Sequence, residues 1–132
     1  MPPLTTVIIK GNPKFVAGNP AADDFYQEIK AFLENIGYVV TLDPGEPYTS
    51  PPPADLWIGH SRGVDRLRFA PPETKTLAFG SSLPGSVNHP LDSSKDIYGP
   101  TDTIPNAHHY AFTEAMKQAI LAATAELEQK QG

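Results

Sequence analysis

The sequence predicts a single α/β domain over residues 1–132, a three-layer α/β/α arrangement around a small, mostly parallel sheet. Three observations lead there. Short runs rich in β-branched and apolar residues recur along the chain, too continuous to be one-sided strands. Amphipathic helical segments follow the first and the last of these runs. Proline, 15 of 132 residues against a usual share of about 5%, falls between the periodic segments, where it stiffens connectors without breaking elements. A chain of 132 residues is long enough to bury one core.

"TTVIIK" (5–10) is the first predicted strand, ended by Gly11-Asn12-Pro13. "NPAADDFYQEIKAFLENIG" (19–37) predicts a helix. Asn19 suits its N-cap, Pro20 its first turn, Asp23 and Asp24 its positive end, and Gly37 its stop. Phe25, Ile29, Phe32, Leu33 and Ile36 form one apolar stripe. "YVVTL" (38–42), "DLWIG" (55–59) and "TKTLAFG" (74–80) are further strands. Between the last two, "GVDRLRFA" predicts a short helix with Val64, Leu67 and Phe69 on one side. Residues 81–110 read as a loop. A final helix from about Thr113 to Glu128 carries Met116, Ile120, Ala123 and Leu127 inward and Glu114, Lys117, Glu126 and Glu128 outward.

Composition narrows the function. A net charge of -5 leaves no basic stripe to neutralise phosphates, which argues against a nucleic-acid partner. The absence of cysteine removes thiol chemistry and cysteine-based zinc sites. The four histidines leave room for a His/Asp metal site, but none shows a helical H-x-x-x-H spacing, and no metal is expected. No apolar run approaches a bilayer span and no leader-like start is visible. A cytoplasmic protein with no membrane partner is the expectation.

The chemistry concentrates in Gly59-His60-Ser61-Arg62-Gly63, a G-x-S-x-G pattern. Such a pattern arises by chance in roughly 4% of chains this long, so its context carries the argument. A strand is predicted to end at its first glycine and a helix to open at its second, the setting of a nucleophile elbow. The two glycines let strand and helix approach, the Ser61 hydroxyl projects above the sheet edge, and the Arg62 backbone N–H points where an oxyanion would form. Parallel α/β sheets collect their sites at the carboxyl ends of the strands. Asn12, Asp43, Ser61 and Ser81 each follow a predicted strand and should share that edge.

On these residues the chain resembles the small, cap-less serine hydrolases of the α/β-hydrolase family. "LWIGHSRG" resembles their nucleophile strand and elbow, and "VIIKGN" the strand whose loop gives the second oxyanion N–H. "IYGPTDTIP" resembles the acid-bearing turn, and "AHHYAFTEAM" the histidine loop before a last helix. The resemblance implies a reduced α/β-hydrolase fold and a triad of Ser61, His109 and Asp102, with Arg62 and Gly11 or Asn12 at the oxyanion. It implies a small acyl substrate and no cofactor. The chain departs from the pattern in having fewer strands and only six residues between Asp102 and His109. Asp92 and Asp96 stay open as the acid and His108 as the base. His60 is expected to be a structural hydrogen-bonder, His89 a loop anchor, and Trp57 and Phe79 core residues.

A second reading comes from the same turn. "GHSRGVDRL" also resembles the glycine-rich loop of Rossmann-like domains. Helix N-terminal amides with Arg62 or Arg66 would then hold the phosphate of a nucleotide or sugar. Asp65 and Arg66 separate the readings, since they matter for ligand binding only in this one. A hydrolase fold that has lost its activity and serves as a scaffold is the third reading. Oligomeric state leaves no trace in the residues.

Overall fold

β-Branched and large apolar side chains dominate the strands because each central strand is covered on both faces. A computed structural model describes residues 4–10, 20–43, 51–60, 66–67, 69–79, 101–104 and 111–131. In chain order the elements are β1 (Thr5–Ile9), α1 (Pro20–Asn35), β2 (Val39–Asp43), β3 (Leu56–His60), β4 (Lys75–Phe79), β5 (Thr101–Ile104) and α2 (Glu114–Gln131). The strands form one five-stranded sheet in the order β2-β1-β3-β4-β5, every neighbouring pair parallel. This is a mixed α/β fold with a small parallel sheet.

Both helices pack on one face. Phe25, Tyr26, Ile29 and Leu33 of α1 and Met116, Ile120, Ala123 and Leu127 of α2 meet Ile8, Leu56, Ile58, Leu77 and Phe79. The stripe expected on α2 is the one that is buried. On α1, Ile36 is left largely exposed, and Ala22 and Tyr26 join the core instead. The opposite face carries a smaller cluster of Val7, Ile9, Trp57 and Ala78, closed by Leu67 with Ala54 and Ala70 against it. The division follows from right-handed crossovers. The chain steps one way across the sheet from β1 to β2 and the other way from β2 to β3 and β4, so the connections fall on opposite faces. Trp57 and Phe79 are both core residues, and the Trp57 indole N–H donates to the Pro52 carbonyl at 3.1 Å.

The helix ends are written in the sequence. Gly37, at φ +99°, closes α1: its N–H donates to Glu34 O at 3.0 Å and the Tyr38 N–H to Leu33 O at 3.1 Å, a Schellman pair. Thr113 caps α2 by accepting the Met116 N–H at 3.2 Å. Asp55 ties the amino ends of the strands. Its carboxylate accepts the Thr5 N–H at 2.8 Å, and its carbonyl accepts the Lys75 N–H at 3.1 Å.

Two expectations are corrected. The segment 81–110 is not all loop, because Thr101–Ile104 pairs with β4 as the fifth strand. The segment after β3 is no amphipathic helix at its carboxyl end. Arg66, Leu67 and Phe69 are in 3-10 conformation, and Phe69 is 48% exposed while Leu67 is buried. Residues two apart stand about 200° apart round an α-helix and about 240° apart round a 3-10 turn, so Leu67 and Phe69 share a face in neither.

Candidate functional site at the carboxyl edge of the sheet

An all-parallel sheet gathers the carboxyl ends of its strands on one edge. With the order β2-β1-β3-β4-β5 the chain reverses direction across the sheet at β1 and β3, and the crevice between their carboxyl ends is the switch point where such folds bind ligands. Two described residues flank it. Lys10 directly follows β1, and His60 is the last residue of β3. Ile9 pairs with Gly59 in the ladder, so Lys10 stands opposite His60.

His60 is 2% exposed. Its Nδ1 shares a 2.8 Å hydrogen bond with the Tyr26 hydroxyl from α1, and its ring lies against Phe25 at 4.6 Å between centroids. The expected structural role is the one it has. The bond pins α1 to the end of β3, one residue before Ser61, and it decides which imidazole nitrogen faces the helix. Lys10 completes this group, with Nζ over the Tyr26 ring at 5.7 Å, inside cation–π range.

Across the sheet, Asp43 ends β2 and accepts two hydrogen bonds from Arg66, Nη1 to Oδ1 and Nη2 to Oδ2, the latter at 3.2 Å. Both side chains are buried. Asp43 shares a sheet face with Ile9 and Gly59, its partners in register. The guanidinium therefore passes below the end of β1, on the face away from the helices, to reach it. A bidentate pair of this kind fixes the segment after β3 against β2. Asp43 does lie at the expected edge, as an internal counter-ion.

Asp102 lies within β5, so the "IYGPTDTIP" segment runs as a strand at this point and not as a turn. It pairs with Leu77, which pairs with Ile58. Asp102 is thus two residues behind the level of His60 and two strands across, roughly 12 Å between Cα atoms. A serine–histidine–acid chain of hydrogen bonds spans at most about 14 Å between its outer Cα atoms. An imidazole would bridge such a gap only with both side chains extended. Ser61, Arg62, Gly11, Asn12, His108, His109, Asp92, Asp96, Ser81, His89 and Asp65 lie outside the described residues.

Sequence reasoning missed Tyr26 and Lys10. Tyr26 had a signal: it falls four residues after Ala22, three before Ile29 and seven before Leu33, within the buried stripe of α1. Lys10 had none beyond ending an apolar run.

The chain matches no protein-family model, and no curated protein or solved structure is significantly similar to it. Among the described residues no helix is long and apolar enough to cross a membrane, and no three His, Cys, Asp or Glu side chains converge as metal ligands.

Proposed function

We propose that the chain is a small cytoplasmic serine hydrolase, a single three-layer domain of reduced α/β-hydrolase type, which cleaves an ester, thioester or amide through an acyl-enzyme on Ser61. One observation carries this reading. The G-x-S-x-G motif begins inside the central strand of an all-parallel sheet. Gly59 and His60 are the last two residues of β3, so the chain leaves the sheet for Ser61 at the switch point. That is the strand half of the context an elbow requires.

In the mechanism we infer, His109 accepts the Ser61 hydroxyl proton as Oγ bonds to the substrate carbonyl carbon. The backbone N–H of Arg62 and that of Gly11 or Asn12 receive the oxyanion. Collapse breaks the bond to the leaving group, which takes the proton from His109. Water, deprotonated by the same imidazole, then releases the acid. Asp102 holds the imidazole tautomer. No cofactor, metal, nucleic acid or membrane enters this scheme. Activity rises with pH through roughly 6 to 7 as the histidine loses its proton.

The phosphate-binding reading of the 59–66 turn loses ground at Arg66. A buried guanidinium already bidentate to Asp43 is a poor ligand for a second anion.

Intact-mass spectrometry after fluorophosphonate treatment is the test. A single adduct on the wild type, absent from Ser61→Ala and His109→Ala, is the expected result. No adduct on folded protein would overturn the reading.

A further inference from the structure

The sheet has two edges, and they are built differently. β5 has four residues and lies in the sequence between Pro100 and Pro105, which cannot donate to a ladder and so guard that edge against further pairing. β2 has five, Val-Val-Thr-Leu-Asp, with no proline, no lysine and no bulge in its register with β1. Its one charged side chain, Asp43, is buried against Arg66. Val39 is 52% exposed, Thr41 is exposed too, and Val40 and Leu42 are only half-buried.

The outer side of β2 can be assigned group by group. The Val39 N–H donates to Leu4 O at 3.0 Å, and the Asp43 carbonyl accepts from the Lys10 N–H at 3.2 Å. The odd-numbered residues of β2 therefore turn their main-chain groups towards β1. Successive residues of a strand turn these groups to opposite sides, so the N–H and C=O of Val40 and of Leu42 face outward. Among the described residues nothing pairs with them there. Alternating donors and acceptors beside half-exposed apolar side chains form an open template for one more strand.

We propose that this strand is the β2 of a second copy of the chain, antiparallel about a two-fold axis, joining two five-stranded sheets into one. The pattern is complementary to itself in one register. With Thr41 opposite the partner's Thr41 on the axis, Val40 exchanges N–H···O=C bonds in both directions with the partner's Leu42, and Leu42 does the same with the partner's Val40. Every outward group of both copies is then paired. A slip along the strand carries Val40 or Leu42 past the end of the partner's strand. Val40 and Leu42 already pack against the core under the helices, and the pairing continues that apolar surface across the joint. The net charge of -5 does not oppose the contact locally, because no unpaired charge lies on β2.

The chain has no cysteine, which makes the register directly testable. Thr41 meets its own symmetry mate at a non-hydrogen-bonded pair, with Cα atoms about 4.5 Å apart, inside disulfide reach. Thr41→Cys should therefore form a covalent dimer with oxidised glutathione. Val39→Cys, on the same exposed face, should not, because its symmetry mate lies roughly 14 Å away. Sedimentation of the wild type at about 0.1 mM should give twice 14.3 kDa. Thr41→Lys and Thr41→Glu each place like charges face to face and should raise the dissociation constant about fivefold to tenfold, whereas an equimolar mixture of the two should dimerise at least as well as the wild type. A wild type that stays monomeric would overturn the proposal. So would a dimer in which Thr41→Cys fails to cross-link, or one that Thr41→Lys and Thr41→Glu leave unchanged both separately and together.

Discussion

Replacing Arg66 with Met is the sharpest test of how this fold is held together at the carboxyl edge of its sheet. Arg66 and Asp43 are both buried and bonded through two nitrogens and two oxygens. Removing the guanidinium leaves the Asp43 carboxylate in a site built around a positive charge. Breaking a buried pair from one side costs about 3–5 kcal/mol. For a chain of 132 residues each kcal/mol moves the melting point by roughly 3–4 °C, so Arg66→Met should melt roughly 10–20 °C below the wild type. The double variant Arg66→Met/Asp43→Leu removes both charges and should recover most of that loss, since apolar replacement of a whole buried pair is often neutral. Thermal denaturation followed by circular dichroism, on the two single variants and the double, gives the coupling energy directly. A single variant melting within about 2 °C of the wild type would refute the argument, because Arg66 would then be dispensable to the fold and open to a ligand.

Other consequences are more local. Tyr26→Phe deletes the hydrogen bond to His60 and should cost about 1–3 kcal/mol in denaturant unfolding; an unchanged midpoint would mean the bond is not made in solution. Gly37→Ala meets no atom within 4 Å, so its cost is conformational, about 1 kcal/mol for an L residue at φ +99°. A variant as stable as the wild type would show that the end of α1 rearranges. The Tyr38 phenol is pushed up from 10.0 to about 12, first by burial and then by Glu128. A raised pKa means the folded state holds its proton longer than the unfolded one, so this contribution is complete below pH 10 and is lost as pH rises through about 12. The stability gap between wild type and Tyr38→Phe should therefore change by about 2 kcal/mol over that range. A gap that stays constant would place Tyr38 in a water-exposed setting.

The strands were legible where burial made them so. "TTVII", "LWIGH" and "KTLAF" are covered on both faces or nearly so, and a doubly covered strand must be continuously apolar or small. β2 could be read from its β-branched residues although it is an edge strand with Val39 52% exposed. β5 could not. Thr101–Ile104 has one large apolar residue, pairs only with β4, and lies between Pro100 and Pro105, which read as turn signals. An edge strand of four residues needs little hydrophobic drive once its neighbour presents an open ladder, and propensity alone does not register that. The carboxyl cap of α1 was legible because Gly37 acts through its own backbone; the expected N-cap, Asn19, lies outside the described residues. A 3-10 turn after β3 was not, because "RLRFA" contains nothing that selects it over an α-helix.

The end of β3 was legible in the sequence, and the side-chain pairings around it were hidden. Tyr26 and His60 are 34 residues apart, and Asp43 and Arg66 are 23 apart; both contacts follow from strand order, which the sequence does not state. With β1 between β2 and β3, it takes a side chain as long as Arg66 to cross the end of β1 and reach Asp43. That order also separates the two cations at the crevice. Arg66 runs along the face away from the helices and is neutralised by Asp43. Lys10 lies on the helix face, over Tyr26. The same residue type beside a glycine-rich turn can serve a phosphate or a neighbouring aspartate, and the composition of the turn does not decide between them. The carboxylate on the adjacent strand decides it. By pairing with Arg66 it withdraws that guanidinium from solvent and ties the segment after β3 to the end of β2.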